Sequence, residues 1–192
     1  MFEGSLRSVA LTFALACSAC TVDQEPARYT EVLEIPLGAG ERSDLAEILS
    51  SAARVDEEIH VDDVSERNAE YHDDAQILDA DKRLTISISI WIGEDDDELV
   101  AHVGDLGHRG RTWATFLKGK DVQLHRQFRE RAVAAIRQRW PESRSIPILP
   151  SGGVGNPEDF VLVDGEYRID RARASTYGLP NDSNLLASRP AS

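Results

Sequence analysis

The side chains best suited to chemistry cluster in one short segment, Gly107-His108-Arg109-Gly110-Arg111-Thr112-Trp113. Its glycines free the backbone, and two guanidinium groups with an aromatic are residue types enriched at binding hot spots. Two readings follow. In the first, His108, Arg109, Arg111 and Trp113 form a recognition loop for a carboxylate or a protein. In the second, the segment is a hairpin loop whose arginines pair with acidic parts of the same chain. A second candidate is the run Glu94-Asp95-Asp96-Asp97-Glu98. Calcium would want six to eight oxygens, but the run lacks the alternating spacing and terminal glutamate of a calcium loop, and adjacent turn residues point apart. It reads as a solvated hairpin tip, with Asp95, Asp96 and Asp97 available to a partner. Asp73, Asp74, Asp79 and Asp81 form a similar acidic cluster.

Other chemistry is harder to build. His60, His72, His102, His108 and His125 show neither the H-x-x-x-H nor the H-E-x-x-H spacing of a metal-binding helix. Gly38-Ala39-Gly40 lies between a strand pattern and a helix pattern, but Glu41 would repel a phosphate there. In Ser151-Gly152-Gly153-Val154-Gly155 the glycines follow the serine instead of flanking it, which is not a nucleophile elbow. No catalytic residue, metal or cofactor is expected. Nucleic acid is not an expected partner, because phosphate would be repelled by a chain with 34 acidic and 21 basic residues.

The elements that must position these residues can be read from periodicity. Tyr29 to Ile35 predicts a strand, broken by the Pro36 to Gly40 turn. Ser43 is expected to cap a helix with Leu45, Ile48, Leu49 and Ala52 on one face. Val55 to Val64 suggests a strand with one wet face, and residues 65–82 are ambiguous. Leu84 to Ile92 alternates strictly between apolar and other residues, as a half-buried antiparallel strand does, with Leu99 to Val103 returning beside it. Thr112 to Leu117 is a further strand. Asp121 then caps a helix to about Arg139, with Leu124, Phe128, Ala132, Ala135, Ile136 and Trp140 along its buried stripe, and Pro141 stops it. Ile146 to Leu149 is short and extended. Asp164-Gly165 joins two strands, Phe160 to Val163 and Glu166 to Ile169, in a tight hairpin. These patterns predict an α+β fold, an antiparallel sheet with helices packed on one face. Residues 29–170 form a single domain, and 171–192 a tail whose Tyr177, Leu179, Leu185 and Leu186 can dock back on the body.

Charge is distributed unevenly along the 192 residues, whose net charge is -13. Thr21 to Leu106 holds 24 acidic and 6 basic residues, Gly107 to Arg144 holds 3 and 10, and Ser145 to Ser192 holds 6 and 4. The blocks carry -18, +7 and -2 respectively. Either the first two neutralise each other inside the fold, or the acidic surface receives a cationic partner steered by the opposite field.

The leader gives an address. Residues 8–19 are uncharged and end in small residues, too short for the roughly 20 needed to span a bilayer core, which is the pattern of a secretory signal. Cys17-Ser18-Ala19-Cys20 resembles the lipobox of bacterial lipoproteins, with Ser18 and Ala19 at the small positions and Cys20 at the lipidated one. Cys17 stands where that motif usually has leucine, and it offers a competing frame after Ala14-Leu15-Ala16. Cleavage at Cys20 leaves no unpaired thiol in the mature chain. The resemblance implies residues 1–19 as signal peptide, 20–28 as lipidated cysteine and tether, and several acyl chains on Cys20. Because Thr21 is not aspartate, it also implies an outer-membrane address facing the periplasm.

A small acidic α+β domain behind a lipobox, with no catalytic motif, is similar in plan to immunity lipoproteins and periplasmic lysozyme inhibitors. That plan implies a binding protein whose partner is a cationic toxin or cell-wall hydrolase. A structural or assembly lipoprotein of the envelope is the competing class, followed by an envelope enzyme.

Overall fold

A computed structural model describes residues 29–38, 40–74, 86–93, 98–105 and 111–189. The fold is α+β. Strands β1 (Tyr29–Ile35), β2 (Ile59–Asp63), β3 (Ser87–Ile92), β4 (Glu98–Gly104), β5 (Thr112–Leu117) and β6 (Arg144–Ser145) form one sheet in the order β2-β3-β4-β5-β1-β6. Every neighbour in it is antiparallel. Helices α1 (Arg42–Ala52), α2 (Ser65–Asp74) and α3 (Val122–Arg139) join these strands. A second sheet contains β7 (Phe160–Val163), β8 (Glu166–Asp170) and β9 (Leu186–Ala187).

Side-chain alternation along β1 and β5 explains the layering, because successive residues face opposite sides of a sheet. Leu33, Ile35, Ala114 and Phe116 join a core with Leu45 and Leu49 of α1 and Phe128, Ala132 and Ile136 of α3. Val32 and Trp113 point the other way. They pack with Ile146, Leu149, Phe160, Ile169, Ala174, Leu179 and Leu186 in a second core. Helices α1 and α3 therefore cover one face, and the small sheet covers part of the other. The final segment belongs to that second core: a 3-10 helix, Arg171–Tyr177, leads to β9, which pairs parallel to β8. Leu179 and Leu186 are buried there, so the expected docking of this segment takes the form of an added strand.

Several local expectations shift. Helix α1 begins at Arg42 behind Glu41, not behind Ser43, and Glu41 makes no side-chain capping bond within the helix. Its carboxylate instead folds back to accept from the Gly38 amide at 2.7 Å and from Trp140 Nε1 at 3.2 Å. These bonds, the backbone one foremost, hold its pKa below the usual carboxylate range. Of the segment 55–64, only Ile59–Asp63 is strand. Val55–Glu57 is a 3-10 turn, and Glu58 takes a left-handed conformation at φ 50°. Residues 65–74, ambiguous in sequence, are helical. Asp121 does cap α3, accepting from the Gln123 and Leu124 amides at 3.0 Å each, an arrangement worth about 1 kcal/mol. The buried stripe of α3 includes His125 and Val133, while Leu124 and Ala135 are only half-buried. No helix among the described residues is long and apolar enough to cross a membrane.

Candidate functional site

Of the residues singled out in the sequence, Cys17, Cys20, Asp95, Asp96, Asp97, His108 and Arg109 lie outside the described residues. Arg111 and Trp113 are described, and both converge on Glu34 of β1. Trp113 is 2% exposed, its ring 6.0 Å from that of Phe160. Its Nε1 donates to Glu34 Oε2 at 3.3 Å, and Tyr167 of β8 donates its hydroxyl to Oε1 at 2.6 Å. Arg111 forms an ion pair with the same carboxylate and stacks over the Tyr167 ring at 5.1 Å. Burial works against the Arg111 charge, but Glu34 outweighs it and raises the guanidinium pKa. Burial, then the bond to Glu34, raises that of the Tyr167 hydroxyl. These groups fasten the small sheet to the large one. Arg111 and Trp113 are thus engaged inside the fold instead of being offered at its surface, and Arg111 pairs with an acidic residue of the same chain.

Similar matching runs along α3. Arg131 pairs with Glu57, while Arg139 reaches Glu41 at 2.7 Å and Asp44 at 3.2 Å. Glu31 lies 3.6 Å from Arg129 and 3.5 Å from Arg137. Arg111, Arg129, Arg131, Arg137 and Arg139 of the basic block are therefore matched by acids of β1, α1 and the turns at either end of α1.

The candidate site is a groove that gathers acids this pairing does not use. At the β2 edge of the sheet, a groove of about 560 Å³ is lined by Asp56, Glu57, Glu58 and Asp121, with Arg54 as its one cationic residue. Glu57 is engaged by Arg131 and Asp121 by the α3 amides, but Asp56 and Glu58 make no ion pair among the described residues. Val55, beside them, is fully exposed. The Gly93 amide donates to the Glu58 carbonyl at 3.1 Å, so the end of β3 is fastened beside this groove.

Strand β2 adds an open edge. Val64 N donates to Ser87 O, and Gly93 N to Glu58 O. In an antiparallel ladder hydrogen-bonded pairs alternate, which makes His60–Trp91 and Asp62–Ser89 the bonded pairs. Ile59 and Val61 therefore turn their backbone groups away from β3, and among the described residues nothing pairs with them. Only five residues long and carrying Asp62 and Asp63, this edge resists indiscriminate pairing. A cationic strand would meet the opposite response.

Two histidines lie close to other polar groups. Ser87 Oγ lies 3.4 Å from His102 Nε2, a nucleophile–base spacing that the sequence did not reveal. However, Ser87 is 3% exposed, its amide is held by Ser65 Oγ at 2.8 Å, and no described carboxylate hydrogen-bonds to His102. Burial also lowers the His102 pKa. His125, 4% exposed, has Nδ1 3.1 Å from the Leu117 carbonyl and Nε2 3.9 Å from Glu98, which places it between β5 and the start of β4. Among the described residues no three His, Cys, Asp or Glu side chains are grouped as metal ligands.

Sequence reading missed Val55, Asp56 and Glu58 because it absorbed them into a strand. The available signal was three consecutive acids beside a valine, which is poor strand chemistry. The chain matches no protein-family model, no curated protein and no solved structure.

Proposed function

We propose that this chain is a lipid-anchored envelope binding protein, held at the outer membrane through Cys20 and facing the periplasm. Its acidic β2 edge receives a basic partner, a secreted antibacterial effector or a cell-wall hydrolase, which it neutralises as an immunity protein does. The observation that carries the reading is the groove beside β2. Among the described residues Asp56 and Glu58 make no ion pair there, next to an exposed valine and an unpaired strand edge, whereas Glu31, Glu34, Glu41, Asp44 and Glu57 are each matched to an arginine. Opposite charge steers such a partner in and rejects acidic competitors, while the apolar and backbone groups hold it once docked.

Competition between strains tests the proposal. A strain lacking this protein is expected to be killed by siblings that retain it, provided the siblings carry an active secretion system. Equal survival of the deletion strain would contradict the immunity role and favour a structural or assembly lipoprotein. Anchoring is tested separately: Cys20→Ala should abolish metabolic lipid labelling. Labelling retained in that variant but lost in Cys17→Ala would move the anchor to Cys17.

A further inference from the structure

At the opposite edge of the same sheet lies a pocket of contrary character. It has a volume of about 520 Å³ and sits where the C-terminal end of α3, β6 and the β7–β8 turn meet, within the size range of small-molecule sites. Arg144 lines it, half-buried, and makes neither an ion pair nor a side-chain hydrogen bond among the described residues. The reason is visible in the register. Arg144 pairs with Glu34 across the β1–β6 ladder, but Arg111, Trp113 and Tyr167 already occupy that carboxylate. A partly desolvated guanidinium without a partner is costly, and its planar fork suits a carboxylate.

The surroundings define the ligand. Ser143 lines the same pocket, with a buried hydroxyl that makes no hydrogen bond among the described residues. Arg137 supplies a second cation, shared with Ser145 Oγ at 2.9 Å and Glu31 at 3.5 Å. Ile146, Pro147 and the Tyr167 ring give apolar walls. Against a highly charged anion stand Glu166, 3.4 Å from Arg168, and the carbonyl end of α3 with its partial negative charge. We propose that this pocket binds a small organic monocarboxylate, its carboxylate on Arg144 and its apolar body against Pro147 and Tyr167.

The test is calorimetric titration of the full chain at low ionic strength with phenylacetate, phenylacetamide and inorganic phosphate. Saturable binding of phenylacetate is expected, with the neutral amide and phosphate each at least about tenfold weaker, as loss of a charge-assisted hydrogen bond implies. Arg144→Ala should weaken phenylacetate by a similar factor without lowering the melting temperature, and Arg144→Lys should fall between. Absence of saturable binding would overturn the proposal. So would equal affinity for the amide or for phosphate, or an Arg144→Ala variant that binds as the native chain does. The acidic groove shares no residue with this pocket, so neither result bears on the β2 edge.

Discussion

The two edges of the six-stranded sheet differ in what they leave unpaired. At β2 the surplus is anionic: Asp56 and Glu58 face solvent beside a strand whose Ile59 and Val61 backbone groups have no partner among the described residues. At β6 it is cationic, with Arg144 lining a pocket next to a saturated Glu34. Between them the charges cancel, as α3 sets its arginines against Glu31, Glu41, Asp44 and Glu57. Net charge is therefore a poor guide to where this molecule would meet a partner. Of the sequence blocks of -18 and +7, Glu31, Glu34, Glu41, Asp44 and Glu57 of the first pair with Arg111, Arg129, Arg131, Arg137 and Arg139 of the second. The informative residues are the unmatched ones that a groove or pocket gathers, Asp56 and Glu58 at β2 and Arg144 at β6.

The comparison can be broken at the joint that keeps Arg144 free. Glu34→Ala removes the acceptor shared by Arg111, Trp113 and Tyr167 and leaves a half-buried guanidinium unpaired. With Arg111 28% and Glu34 14% exposed, solvent screening reduces the loss. A decrease of about 2–3 kcal/mol in urea-unfolding free energy is expected. A change below about 0.5 kcal/mol, the range of an ordinary surface substitution, would mean the joint does not hold the sheets together.

A smaller effect is expected on the small-sheet side. Asp159 accepts from Tyr177 at 2.6 Å and from Arg173 at 2.8 Å, tying the 3-10 helix Arg171–Tyr177 to the start of β7. The Tyr177 bond, followed by Arg173 and opposed by burial, holds its pKa below the ordinary 3.8. A lowered folded value means the stabilisation is complete above the unfolded value and lost as pH falls through the folded one. Asp159→Asn should cost about 1–2 kcal/mol at neutral pH. The gap between variant and native chain should close on acidification below about 3.8. A gap that stayed constant to pH 2 would assign the loss to packing instead. Smallest of all, the double variant Asp56→Asn, Glu58→Gln should change stability by no more than about 0.5 kcal/mol, since both carboxylates lack ion-pair partners among the described residues. A larger loss would show that the rim takes part in folding.

Much of the scaffold was legible because its signals are local. The strands at Tyr29–Ile35 and Thr112–Leu117, the Asp121 cap and the Asp164-Gly165 hairpin each declare themselves within a few residues. The site was less legible because it depends on long-range pairing. That Arg111 would meet Glu34 and Arg144 would not follows from which acceptor three other groups reach first, and no spacing along the chain encodes that order. Ser87 illustrates the same limit. Its place in an alternating strand predicts a wet side chain, yet Ser65 and His102 close over it. The left-handed Glu58, which ends the 3-10 turn and opens β2, likewise gives no sign in its residue type.

The most direct test is equilibrium binding of the full chain to a basic lysozyme across a salt series, comparing the native chain with Asp56→Asn, Glu58→Gln. If the acidic β2 edge is the contact surface, native affinity falls steadily as salt rises, and the double variant binds about tenfold more weakly at low salt. Salt-insensitive binding, or a double variant as tight as the native chain, would contradict the account.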